Sequence, residues 1–237
     1  MKTIGLIGGM SWESSQTYYQ VINETVRDRL GGLHSARCII YSVDFAEMGE
    51  LQRRAQWAEA AEVLTSAAQN VERAGAQFVL ICTNTMHKVA DTVQAGIGIP
   101  LLHIADVTAE KVRQAGLQCV GLLGTRFTME EEFYRGRLTD RFGLQVIIPE
   151  PRHRETVHRI IYEELCLGAV RPESGAQLAD IMRGLGAMGA EGIILGCTEL
   201  GLLIRAEDVN MPVFDTTRIH ALAAVEYALR YDDALPH

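Results

Sequence analysis

The chain repeats itself at a distance too long for a solenoid. Residues 74 to 85 read Ala-Gly-Ala-Gln-Phe-Val-Leu-Ile-Cys-Thr-Asn-Thr, and residues 188 to 199 read Met-Gly-Ala-Glu-Gly-Ile-Ile-Leu-Gly-Cys-Thr-Glu, which sets Gly75 on Gly189 and Thr83 on Cys197. Ile4-Gly5-Leu6-Ile7-Gly8 recurs as Val120-Gly121-Leu122-Leu123-Gly124, and Pro100 recurs as Pro212. The matches keep their order and run at offsets of 112 to 116 residues. Solenoid periods are tens of residues, so a repeat this long indicates a duplicated domain. The expectation is an α/β fold of two pseudo-symmetric lobes, each a mainly parallel sheet flanked by helices, with the active site in the cleft between them. In that arrangement Thr83 and Cys197 approach one ligand from opposite sides.

Apolar runs of strand length alternate with long helical patterns. Residues 3–7, 37–42, 78–82 and 101–103 read as strands of the first half, and 118–123, 145–148, 192–196 and 213–214 as strands of the second. Several lack polar alternation, as expected of parallel strands covered on both faces. Helices are expected over about 14–30, 51–74, 128–142, 154–167, 173–188 and 216–231. The first five stop at Gly31, Gly75, Gly143, Gly168 and Gly189, because glycine readily takes the left-handed conformation that closes a helix. Since Pro212-Val213 matches the crossing at Pro100, the last helix is expected to return to the first lobe. That gives a first lobe of residues 1–98 plus 213–237 and a second of residues 99–212.

A net charge of −8 argues against nucleic acid or an anionic membrane as a partner, since both require a concentrated basic face. The opening residues are apolar only briefly and are broken by Gly5, Gly8 and Gly9, so no export signal is read and a cytoplasmic location is expected. Five cysteines, odd in number and without CxxC spacing, argue against a disulfide framework and for reduced thiols available as reagents. A small-molecule ligand is the expected partner, and a homodimer is left open.

In open parallel sheets ligands bind beyond the carboxyl ends of the strands. Gly8-Gly9-Met10-Ser11, Cys82-Thr83-Asn84-Thr85, Gly124-Thr125 and Gly196-Cys197-Thr198-Glu199 all lie at such ends. They offer N–H groups and hydroxyls suited to a carboxylate. Cys197 precedes a predicted helix, whose dipole is expected to favour its thiolate. Thr83 also suits a helix cap. Cys82, one residue earlier, should point into the core by strand alternation, unless the strand end bends and makes it an alternative base. No familiar metal-ligand spacing is present, and none of these loops carries a Schiff-base lysine, so neither metal nor cofactor is expected.

These segments resemble the aspartate/glutamate racemase family over nearly the whole chain: the opening Met-Lys-Thr-Ile-Gly-Leu-Ile-Gly-Gly-Met, Asn84-Thr85-Met86-His87, Gly196-Cys197-Thr198-Glu199 and the closing Pro212-Val213-Phe214-Asp215. The resemblance implies cofactor-independent inversion of the α-carbon of free amino acids, with one acid/base group on each face. Thr83 and Cys197 fall on the catalytic positions, where the family pattern has two cysteines. Asn84, Thr85 and Thr198 fall where the substrate carboxylate is held, Gln52 and Met10 are expected against its side chain, and His87 and Glu199 stand behind the acid/base pair or as alternative bases.

The chain departs from that pattern twice. Thr83 replaces the first cysteine, and a hydroxyl is a far poorer base than a thiolate although it can still donate a proton. Cys166 occupies the position of the lysine in the family's Tyr-Glu-x-x-Lys, here Tyr162-Glu163-Glu164-Leu165-Cys166. The loop Asp44 to Met48 lacks the arginine that grips a side-chain carboxylate. Losing both cations relaxes the penalty for neutral or hydroxylated substrates, unless Arg53 or Arg54 replaces the clamp. A single-thiol decarboxylase, a maleate isomerase and a non-catalytic amino-acid binder remain the competing readings.

Overall fold

The computed structural model describes residues 1–204 and 209–230. The chain divides into two compact units, Met1–Ile104 with His220–His237, and Ala105–Ile219. Among the described residues no helix is long and apolar enough to cross a membrane.

The first unit is built on three parallel strands, β1 (Ile4–Gly8), β2 (Cys38–Ser42) and β3 (Phe78–Ile81), in the order β2-β1-β3. Leu101 adds a single parallel bridge to Val79 rather than the expected strand. Alternation along the strands separates two cores. Ile7, Val79 and Ile81 face α3 (Trp57–Arg73), whereas Ile4, Leu6, Leu80 and Cys82 face α1 (Trp12–Leu30) and the C-terminal helix. α3 buries Ala60, Ala61, Ala67 and Ala68, and these short side chains let it lie close to the sheet. A Cβ at Gly5 would come within 3.0 Å of Ala76 and Val71.

The single helix expected over 51–74 is two, α2 (Phe45–Arg53) and α3. The break is at Ala55, whose φ of 54° lies in the left-handed region, while Gln56 N–H bonds back to the Leu51 carbonyl. A non-glycine residue held there costs about 1–2 kcal/mol. The turn after β3 continues into α4 (Ala90–Ala95).

The second unit begins at α5 (Ile104–Gln114) and contains β4 (Cys119–Gly124), α6 (Arg126–Glu130), α7 (Glu132–Phe142), β5 (Gln145–Ile147), α8 (Pro151–Glu163), α9 (Pro172–Ala187), β6 (Gly192–Gly196) and β7 (Val213–Asp215). Its strands are parallel in the order β5-β4-β6-β7. The helix expected over 128–142 is interrupted at Glu131, whose backbone is extended. Gly143 takes a left-handed φ of 69° at the end of α7.

Residues 213–215 pair with β6, in keeping with 213–214 as a strand of the second half, whereas the expected lobe boundary assigns them to the first. A Cβ on Gly192 would come within 3.0 Å of both the Phe214 ring and the Leu117 side chain, so the glycine leaves these side chains their room. The units therefore part at Ile104/Ala105 and Ile219/His220, not at 98/99 and 212/213. The last helix, α10 (Thr216–Leu229), starts on the second sheet through Thr216 Oγ1 donating to the Leu195 carbonyl. Its later residues Ala221, Ala224, Val225 and Ala228 complete the core around Ile4 and Leu6. Tyr231, the expected end of this helix, lies outside the described residues.

Candidate active site

In the first unit the loop after β1 is compressed against the loop after β2. A Cβ at Gly9, whose φ is 91°, would collide with the main chain of Val43. Gly9 N–H donates to Ser15 Oγ at 2.8 Å, and Ser11 Oγ caps α1. Met10 is buried in the cluster with Met48 and Met86, and Gln52 donates to the Met86 sulfur at 3.1 Å. Gln52 thus meets the turn after β3 through Met86, and Met10 belongs to the same buried cluster. Arg53 and Arg54 pair with Glu50 on the exposed face of α2 and form no buried clamp.

β3 ends at Ile81, and Cys82 N–H still bonds to the Ile7 carbonyl at 2.9 Å. Its side chain turns into the α1/α10 core, where burial pushes the thiol far up from its ordinary range. Thr83 is half-buried, and Asn84, Thr85 and His87 are buried. His87 connects the turn to the chain beyond it: Nδ1 lies 2.8 Å from the Thr83 carbonyl, and Nε2 lies 3.2 Å from Ile104 N. A backbone N–H can only donate, so Nε2 accepts and the ring proton sits on Nδ1, which donates to Thr83. The His103 ring stands edge-on to His87 at 4.5 Å, and His220 at 5.8 Å. His220 Nε2 donates to the Leu102 carbonyl and Nδ1 accepts from Tyr18, both at 2.8 Å. Burial, then the neighbouring His87, bring His220 down to about 3, so it is neutral at physiological pH.

In the second unit β4 and β6 run in register to their ends, Gly124 opposite Gly196. A Cβ at Gly124 would lie 2.8 Å from the Gly196 carbonyl, so the glycines let the two exits lie side by side. Thr125 caps α6. Beyond β6 the Cys197 thiol donates to Glu199 Oε2 at 3.0 Å, and Thr198 Oγ1 donates to the same oxygen at 2.7 Å. Cys197 and Glu199 are both buried.

The expectation that a helix dipole favours the Cys197 thiolate is overturned. Burial and then the Glu199 carboxylate hold the thiol well above its ordinary range. The segment that follows is a 3-10 turn of five residues, Thr198–Leu202, with few aligned peptides to oppose those effects. At neutral pH the resting thiol is protonated and its proton already points at a carboxylate. Cys166, in the 3-10 turn Leu165–Leu167 that follows α8, packs on the core cluster that contains Cys197. Tyr162, which opens the segment in which Cys166 takes the lysine's place, packs there too. Among the described residues, no group of three or more His, Cys, Asp or Glu could hold a metal ion.

The Asp/Glu/Hydantoin racemase family model matches residues 7–224. The chain is 22% identical to the broad specificity amino-acid racemase RacX of Bacillus subtilis (strain 168) over 249 residues, 96% of this chain and 99% of that protein. It is similar to a crystal structure of a Yersinia pestis protein described as a candidate Asp/Glu racemase, with 55% identity and a TM-score of 0.91, over 97% of this chain and 100% of that one. An aspartate racemase homologue from Pyrococcus horikoshii OT3 superposes with a TM-score of 0.84 at 37% identity, covering 96% of this chain and 99% of that chain. The chain belongs to the Asp/Glu/Hydantoin racemase family.

Proposed function

We propose that this protein inverts the α-carbon of free amino acids by proton transfer at two faces, without pyridoxal phosphate or metal, Cys197 serving one face and Thr83 the other. The observation that carries the reading is the buried Cys197 thiol hydrogen-bonded to Glu199 at a strand end that the internal repeat matches to Thr83. Glu199 receives the thiol proton, and the thiolate then removes the α-proton of the bound substrate. The carbanion takes a proton from the Thr83 hydroxyl on its other face; Glu199 then releases its proton to solvent, and solvent returns one to Thr83. Asn84, Thr85, Thr198 and nearby main-chain N–H groups hold the α-carboxylate, on which negative charge grows as the α-proton leaves. Met10, Gln52 and Cys166 line the side-chain region.

A panel of L- and D-amino acids in D₂O, followed by NMR for Cα exchange and by chiral chromatography, tests this directly. Exchange together with inversion is expected. Absence of both, alongside decarboxylation of a malonate derivative, would instead support a single-thiol decarboxylase. Turnover is also expected to survive dialysis against a chelator and to be unchanged by added pyridoxal phosphate; activity lost to the chelator and restored by zinc would contradict the metal-free assignment. Because Cys166 replaces a lysine and Arg53 and Arg54 are engaged with Glu50, the substrate range is expected to include neutral amino acids. Turnover of aspartate or glutamate alone would refute that breadth.

A further inference from the structure

The segment of residues 100–104 is fixed to β3 at its start, Val79 N–H donating to the Pro100 carbonyl and Leu102 N–H to the Val79 carbonyl, both at 2.9 Å. Beyond Leu102 two histidines take over. His220 Nε2, on α10, donates to the Leu102 carbonyl at 2.8 Å, and Ile104 N–H donates to His87 Nε2 at 3.2 Å. The Leu102 carbonyl and the Ile104 N–H belong to the two peptide planes that meet at the His103 Cα, so only two dihedrals separate them. The other nitrogen of each ring is also engaged. Tyr18 on α1 donates to His220 Nδ1, and His87 Nδ1 donates to the Thr83 carbonyl, each at 2.8 Å. The Tyr18 and His220 rings stand edge-on at 5.6 Å, and those of His220 and His87 at 5.8 Å. A series of hydrogen bonds, broken only by the His103 backbone, thus runs from α1 through α10 to the turn that carries Thr83.

We propose that His220 is a positioning residue for the Thr83 face of the reaction: by holding the Leu102 carbonyl it aims the Ile104 N–H at His87, which in turn fixes the Thr83 turn. The proposal rests on the racemase reading. The bond from His87 Nδ1 to Thr83 lies within one turn and moves with it, whereas the bond at Nε2 ties that turn to residues 102–104, another part of the chain. His220 is what orients the peptide between them and the sheet. It is fully buried with Tyr18 among Ile4, Leu6, Leu80 and Ala224, surroundings that would suit an apolar side chain. A buried polar ring is tolerated there because both nitrogens are paired, and its donor does what a leucine could not. Without that donor the peptide between Leu102 and His103 is free to turn, and the Ile104 N–H leaves His87. Nε2 can then take the ring proton, Nδ1 ceases to hold the Thr83 carbonyl, and the hydroxyl is misplaced. Cys197 and Glu199 belong to the second unit and keep their own bond.

The test joins NMR of the imidazole nitrogens to turnover in D₂O, using His220→Leu, which removes the donor, and His220→Gln, whose amide nitrogen takes the place of Nε2. In the parent, His87 is expected to be protonated at Nδ1 and His220 at Nε2. In His220→Leu the His87 signal should lose its Nδ1–H signature and kcat for inversion should fall by about 10- to 10²-fold, while Cα exchange from the enantiomer facing Cys197 stays within about twofold of the parent. His220→Gln should recover the signature and most of the inversion. A His87 signal unchanged in His220→Leu overturns the proposal, as does inversion at the parent's rate once that signature is lost. Equal loss of exchange and inversion in a variant whose circular dichroism matches the parent also overturns it. Should His220→Leu not fold, the other proteins decide: His87 protonated at Nε2 in the parent, or inversion lost in a folded His220→Gln, refutes the role. Absence of Cα exchange by the parent with every amino acid would instead overturn the racemase reading, and the nitrogen spectra would still show whether His220 sets His87.

Discussion

Cys197→Ala is expected to remove Cα exchange and inversion together, lowering both by about 10²- to 10⁴-fold, the usual contribution of a positioned acid/base group. The Thr83 hydroxyl cannot take over, since it does not readily abstract a carbon-bound proton. Fold stability should change little by comparison, because a buried cysteine packs as a small apolar residue and alanine leaves only a small void. Glu199→Gln provides the complementary result. The thiol is raised by burial and by Glu199, and its proton points at that carboxylate. Glutamine keeps a hydrogen-bonding side chain but cannot receive the proton. Its turnover is therefore expected to fall by about 10²-fold or more at neutral pH. The residual rate should climb as pH rises through the alkaline range, where the thiol ionises unaided. A neutral-pH rate equal to the parent would show that Glu199 is not the acceptor. Inversion retained in Cys197→Ala would remove the central assignment.

The parts of this molecule legible in its sequence were those that depend on local pattern or on the repeat. Gly192–Gly196 is a strand with the bounds its apolar run suggests, and its buried neighbours reflect a strand covered on both faces. The match of Gly5 to Gly121 and of Thr83 to Cys197 carried the two-sheet architecture, because each half had to make the same strand exits. Features set by tertiary surroundings were hidden. Ala55 carries no chemical sign of a left-handed turn, so α2 and α3 read as one helix. Val213–Asp215 is legible as a strand of the second half and pairs there, but the sequence carries no sign that the crossing to the first unit comes only at Ile219/His220, inside α10. The protonation of Cys197 was misread for a similar reason. Sequence shows a cysteine before a turn, whereas its burial and the placement of Glu199 emerge only in the fold.

Thr83→Ala is expected to separate two events that the parent couples. Cys197 can still remove and return a proton on its own face, so Cα exchange from the enantiomer that presents its proton to Cys197 should persist in D₂O. Inversion should fall by about 10²-fold or more, because no donor remains for the other face. Thr83→Cys should restore a second thiol and bring the two turnover numbers closer together. The comparison must be made in kcat. The equilibrium constant between enantiomers is one, so kcat/KM is equal in the two directions whatever the bases, and asymmetry can appear only in kcat and KM separately. His87 extends the argument to a group that need not touch substrate. Its Nδ1–H holds the Thr83 carbonyl while Nε2 accepts from Ile104, fixing the turn from which the hydroxyl projects. His87→Leu should therefore resemble Thr83→Ala, with exchange kept and inversion reduced. His87→Asn, whose amide can still donate to the carbonyl, should recover part of the loss. Equal loss of exchange and inversion in His87→Leu would indicate general damage to the first unit rather than misplacement of Thr83. Cys82→Ala should invert in both directions as the parent does, since that thiol is turned into the α1/α10 core and held protonated there; inversion lost in this variant would make Cys82 the second acid/base group in place of Thr83.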